Sequence, residues 1–166
     1  MTTARDTTGA PSGTRPDAKR LATAAGWGAV ATVAMSVVML AATATGLSPM
    51  PKPIPAALVS HTVGALPQPG LVALAAVAHL GYGATAAVLL AALARRVTVW
   101  HGLAGGVVLW ALMGLAWLPY LGWGLFGTAI TPRVAVATLV LHLVYGVVLG
   151  LLLDRRNKRE RPGVGR

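Results

Sequence analysis

The sequence predicts an all-α membrane protein: a bundle of four transmembrane helices, organised as two helical hairpins in parallel repeat. Three observations predict it. Leu21–Pro51, Pro53–Ala94, Val97–Pro132 and Val134–Leu153 contain no Asp, Glu, Lys or Arg. Each holds a run of about 20 apolar residues, enough for a helix to cross ~30 Å of hydrocarbon. The basic residues alternate between connections. Twelve (Arg5, Arg15, Lys19, Arg20, Arg95, Arg96, Arg155, Arg156, Lys158, Arg159, Arg161, Arg166) fall before the first, between the second and third, and after the fourth stretch, and two (Lys52, Arg133) fall elsewhere. Finally, His79–Gly83 reads HLGYG and His142–Gly146 reads HLVYG.

Composition agrees. Only 11% of residues are charged and mean hydropathy is +0.68, whereas soluble domains carry about 25% charge. The net charge of +10 is explained by topology, so nucleic acid is not an expected partner. Basic residues remain cytoplasmic during insertion, which places both termini in the cytoplasm. The Ala/Val/Leu/Gly/Arg bias points to a bacterial inner membrane. With no cysteine, disulfides, thiolate metal sites and haem attachment through CxxCH are excluded.

Residues 1–20 are polar and lack periodicity, so a disordered cytoplasmic tail is expected. The first helix is expected near residues 22–45. Its apolar run exceeds the 7–15 residues or so of a signal-peptide core, so it reads as an uncleaved span. Gly28, Thr32 and Ser36 form a small-residue stripe on it, and Gly46 fits a stop. Leu47–Gly70 holds six prolines. Within it, Ile54–Leu66 reads as a short interfacial or re-entrant helix on the outer face, too short to span. The second helix is expected near 71–94. The brief turn at Arg95–Trp100 predicts that helices two and three lie side by side and antiparallel. The third is expected near 101–119, with Gly102, Gly106 and Gly114 on the face of Trp110. Trp117–Gly127 reads as an outer aromatic anchor with a turn, with a gate or lid as the alternative. The fourth helix is expected near 134–153. A basic tail, 154–166, follows, for which contact with anionic lipid heads and simple solvation are both open.

In each pentad His, Tyr and Gly fall at i, i+3 and i+4 and share one helix face. Polar groups in hydrocarbon need protein partners, so that face should turn inward. His79 and His142 are then expected at one depth, with Tyr82 and Tyr145 a turn below. These four residues form the candidate intramembrane polar site. Gly28, Gly83, Gly102, Gly106 and Gly146 are the expected helix-packing positions. Several roles are open to the histidines: neutral hydrogen-bonding groups, a substrate or proton path, axial ligands of a b-type haem, or a bare metal site. Two histidines are too few for an all-protein metal cage, and neither metal nor cofactor is expected. His61 and His101 are expected at the two interfaces.

No carboxylate lies within a span, and no Walker loop, dinucleotide fingerprint, HExxH or nucleophile–base–orienter set is present. A non-enzymatic role is therefore expected, structural or accessory. Its partners are the lipid bilayer and further copies of itself or a larger membrane complex. The alternatives are a small transporter or permease with an outer-half cavity lined by the pentads, and a haem-binding electron-transfer subunit.

The segments GWGAVATVAMSVVML, MPKPIPAALVSH, HLGYG, WLPYLGWGLFG and HLVYGVVLG, in that order, resemble small, uncharacterised bacterial four-helix membrane proteins, a domain of unknown function. The resemblance covers about residues 26–153. It implies the fold and the membrane location and carries no activity with it.

Overall fold

A computed structural model describes residues 17–159 of the chain. It is all-helical, with five helices: α1 (Ala18–Ala44), α2 (Ile54–Val63), α3 (Gln68–Leu93), α4 (Val99–Tyr120) and α5 (Arg133–Arg159). All except α2 are long and apolar enough to cross a membrane.

Local chemistry sets the ends. α1 begins at Ala18 because the Asp17 side chain accepts from the Lys19 backbone N–H at 3.1 Å, a standard N-cap. The expected disordered tail is thus corrected at Ala18–Arg20, which are helical; residues 1–16 lie outside the described residues. Arg20 reaches across to donate to the Ala94 carbonyl, a cation at the carboxyl end of α3. After α1 the chain turns at Gly46, φ 72°. α2 and α3 carry Pro55 and Pro69 in their first turns, where a missing N–H costs nothing. α4 starts at Val99, two residues before the expected start. Thr98 and His101 form a reciprocal capping box, so His101 is a helix cap. α5 does not stop at Leu153 as expected but continues to Arg159; residues 160–166 lie outside the described residues.

Outward faces of the long helices are apolar. Val37 and Leu40, Val77 and Leu89, Val108 and Leu115, and Val136 are all exposed. Helices apolar on every side suit lipid. Inward faces are small: Ala24, Gly28 and Ala31 on α1, Ala75, Gly83, Ala87 and Ala91 on α3, Gly102 and Gly106 on α4.

Small residues allow backbones to touch. α1 packs closely on α3, and α4 on α5. A Cβ on Gly28 would sit 2.6 Å from the Gly83 carbonyl and from the Ala87 side chain. Cβ atoms on Gly102 and Gly146 would each overlap the other's carbonyl, and one on Gly106 would overlap that of His142. One on Gly83 would overlap the Thr32 hydroxyl. All five expected packing glycines thus face a neighbouring element.

α1 also packs along α5, but α3 and α4 touch only sparingly. This corrects the expectation drawn from their short connection. A tight turn constrains where two helices meet and leaves their far ends free to splay. Here both commit their glycine faces to other helices, α3 to α1 and α4 to α5.

α2 bridges the splayed ends. Ile54, Ala57 and Val59 are buried, and α2 packs on α3. On its other side the Thr62 and Tyr120 hydroxyls share a hydrogen bond of 3.3 Å, and the His61 ring meets Tyr120 edge-on at 4.8 Å. His61 thus belongs to a latch between α2 and α4.

Candidate functional site

Beneath α2, where α3 and α4 diverge, lies a cavity of about 570 Å³. Pockets of ~300–1,000 Å³ suit small molecules. Its walls are mostly apolar and come from all five helices.

His79, Tyr82, His142 and Tyr145 all line this one cavity. The i, i+3 spacing on α3 and α5 brings each pair to the same face, as the pattern required. The two pentads differ sharply in their bonding. On α5, His142 Nδ1 lies 2.8 Å from the Thr138 carbonyl. A carbonyl can only accept, so Nδ1 carries the proton and, in the neutral ring, Nε2 is the acceptor. Tyr145 is 3% exposed, and its hydroxyl donates to the Gly83 carbonyl at 2.6 Å. That bond ties α5 to the α3 pentad. The absence of a Gly83 side chain leaves the room for it: a Cβ there would lie 3.3 Å from the Tyr145 ring.

On α3, by contrast, His79 Nε2 and the Tyr82 hydroxyl are buried and make no hydrogen bond of good geometry, the Trp117 indole standing beside the Tyr82 hydroxyl without aligning on it. A buried unsatisfied polar atom costs about 1–3 kcal/mol. Two wall threonines show the usual solution. Thr32 donates to Gly28 and Thr138 to Val134, each at 2.8 Å within its own helix.

The rest of the wall was not legible as a site. All four described methionines, Met35, Met39, Met50 and Met113, line the cavity. Flexible thioethers fill irregular space and adapt to varied apolar shapes. In the sequence they read as ordinary core residues, and only the i, i+4 spacing of Met35 and Met39 on the buried face of α1 hints at a shared role. Trp117 arrives through a π turn, Met113–Trp117. There Leu118 N–H bonds back to the Met113 carbonyl, five residues earlier, and Pro119 next along supplies no N–H of its own. Such single π turns concentrate at functional positions.

Of the aromatic segment Trp117–Gly127, Trp117 and Tyr120 line this cavity, and the part after α4 does not. Phe126, at φ 54°, folds its ring against Gly114 and Trp110, with centroids 4.6 Å apart for the latter pair. Trp110 in turn donates to the Ala135 carbonyl at 3.0 Å. The segment fastens α4 to α5, and the roof of the cavity is α2. Among the described residues, no three His, Asp or Glu side chains gather as a metal site.

Neither the curated proteins nor the solved structures contain a match to the chain. One family model does match, over residues 18–164, which takes in all five helices and both pentads. The chain belongs to that family, a family of unknown function (DUF6789).

Proposed function

We propose that this is a multi-pass inner-membrane protein, both termini cytoplasmic, that binds a small, largely apolar molecule between α3 and α4 and works as a small carrier or permease. The observation that carries this reading is the cavity of about 570 Å³ inside a chain whose α1–α3 and α4–α5 contacts close backbone to backbone. A purely structural or accessory role, the expectation from sequence, calls for a filled interior. The reading is non-enzymatic: among the described residues no cavity hydroxyl is hydrogen-bonded to an imidazole, and those of Thr32, Thr138 and Tyr145 are bonded to backbone carbonyls.

The repeat supports it. In two parallel hairpins, α1 would correspond to α4 and α3 to α5. Gly28 against Gly83 in the first hairpin then matches Gly102 against Gly146 in the second. The close α1–α5 contact would have α4–α3 as its counterpart, and that counterpart is the open one. The cavity is where the symmetry breaks.

An aliphatic diazirine probe of roughly 15 non-hydrogen atoms tests the binding. In nanodiscs, lipid-facing labels do not saturate, whereas labels on Met113 and Trp117 should. Ala78→Trp, which fills the wall, should abolish the saturable part. Uniform, unsaturable labelling would remove the reading. Orientation has its own test: reporter fusions at Thr62 and Gly127 should read as external and one at Arg166 as cytoplasmic, from the 12-to-2 division of basic residues. A cytoplasmic signal at Thr62 would overturn the orientation.

A further inference from the structure

We propose that the occupant of the cavity is an uncharged, single-chain amphiphile with a hydroxyl head, drawn sideways from the bilayer, with that hydroxyl held by His79 and Tyr82. The proposal rests on the cavity-binding reading and adds the ligand's chemistry and its route.

The head group follows from what the wall leaves unpaired. The Thr32, Thr138 and Tyr145 hydroxyls and His142 Nδ1 are all engaged with backbone carbonyls. His79 Nε2 and the Tyr82 hydroxyl make no well-formed hydrogen bond, and His142 Nε2 is left beside them as a further acceptor. Tyr82 can donate or accept; His79 Nε2 does one or the other according to tautomer. A hydroxyl carries one donor and two acceptor lone pairs, so it satisfies both residues whichever tautomer is present. An ionised head finds no counterpart. Among the described residues, no Lys, Arg, Asp or Glu lines the cavity, and an unpaired charge in such surroundings is strongly disfavoured.

The tail follows from size and wall. About 570 Å³ holds roughly 20 non-hydrogen atoms at ~30 Å³ each. That corresponds to a hydroxyl on a chain of medium to long length. Methionine side chains adapt to such a flexible chain.

The route follows from which lining residues are also exposed. Leu74 on α3, Trp117 and Tyr120 on α4, and Val63 on α2 both line the cavity and lie open at the molecular surface. They border the gap between α3 and α4, so the mouth gives onto an apolar, lipid-facing flank. The His61–Tyr120 and Thr62–Tyr120 contacts close the gap beneath α2.

The test compares three diazirine probes on one chain length, ending in methyl, hydroxyl or carboxylate, on the full chain in nanodiscs. The alcohol should half-saturate the cavity labels at a concentration at least tenfold below the alkane, and the carboxylate should be the weakest. His79→Ala and Tyr82→Phe should each cut the alcohol's advantage to under threefold and leave alkane labelling unchanged. His79→Gln, which keeps a donor and an acceptor, should restore most of it. Ala92→Leu, outside the cavity, should change nothing. Equal saturation by alcohol and alkane would overturn the head-group assignment while leaving the cavity reading intact. A preference for the carboxylate would overturn the uncharged head. Saturation by none of the three would remove the cavity reading, and this proposal with it.

Discussion

The two HLxYG segments share four of five residues and face one cavity, yet they are employed in opposite ways. On α5 the histidine holds its own helix through Thr138, and the tyrosine reaches across to the backbone of α3. On α3 neither His79 Nε2 nor the Tyr82 hydroxyl makes a well-formed hydrogen bond to the protein. The difference comes from neighbours, not from the motif. α5 is flanked closely by both α4 and α1, whereas α3 is flanked by α1 and by the short α2 and otherwise faces the gap. On the proposed reading, a motif that recurs in an unequal setting gives one copy that builds and one copy that is left to bind.

The closed side should fail hardest when disturbed. Gly146→Leu and Gly106→Leu place a side chain into the Gly102 and His142 carbonyls respectively. Such overpacking costs roughly 1–3 kcal/mol where the backbone can give, and more where it cannot. Both should sharply reduce the monodisperse yield in detergent. Gly81→Leu, at the centre of the α3 pentad, meets nothing within 4 Å, and Ala92 is exposed on the same helix. Leucine at either position should leave the yield unchanged. Equal yields from all four variants would mean that the glycine contacts are not tight.

A subtler pair isolates the two tyrosines. Tyr145→Phe removes the bond to the Gly83 carbonyl and should lower stability by about 1 kcal/mol, within the range of interhelical hydrogen bonds in membranes. Tyr82→Phe removes a buried hydroxyl that makes no well-formed hydrogen bond, so the ligand-free protein should lose nothing and should gain slightly. Unfolding in a graded SDS–detergent mixture reads both. If Tyr82→Phe proves the more damaging, the division between a building copy and a binding copy is wrong.

How much of this could be read from the chain follows the range of each interaction. The four long helices were legible because span length and charge placement are local properties. The pentads were legible because i, i+3, i+4 is a local spacing, and so were the glycines. The employment of each pentad was not, since it depends on a carbonyl 62 residues away. Nor was the gap. The short turn after Ala94 argued for adjacent helices, and the competing glycine faces overrode it. α2 was legible as a short helix, but its role as a roof depends on Tyr120, far along the chain. The methionines were silent because a residue that lines a cavity and one that fills a core look alike in sequence.

The smallest effect expected is none at all, and it concerns haem. Paired histidines from two helices on one cavity invite an iron porphyrin, and the anchored His142 ring, with Nε2 left as an acceptor, is the arrangement a haem ligand uses. The rest of the site argues otherwise. A porphyrin brings two carboxylates, and among the described residues no Lys or Arg lines the cavity to receive them. Its mouth opens among Leu74, Trp117 and Val63, an apolar border where ionised groups are poorly solvated. No cysteine is present to tether the group covalently. Protein expressed with ample haem should therefore purify without a Soret band, and His79→Ala and His142→Ala should leave its spectrum unchanged. A stoichiometric Soret band lost in both variants would show that the two pentads act as equals, each giving one axial ligand. The contrast between a building copy and a binding copy would then fall, and electron transfer would replace amphiphile binding as the function the cavity supports.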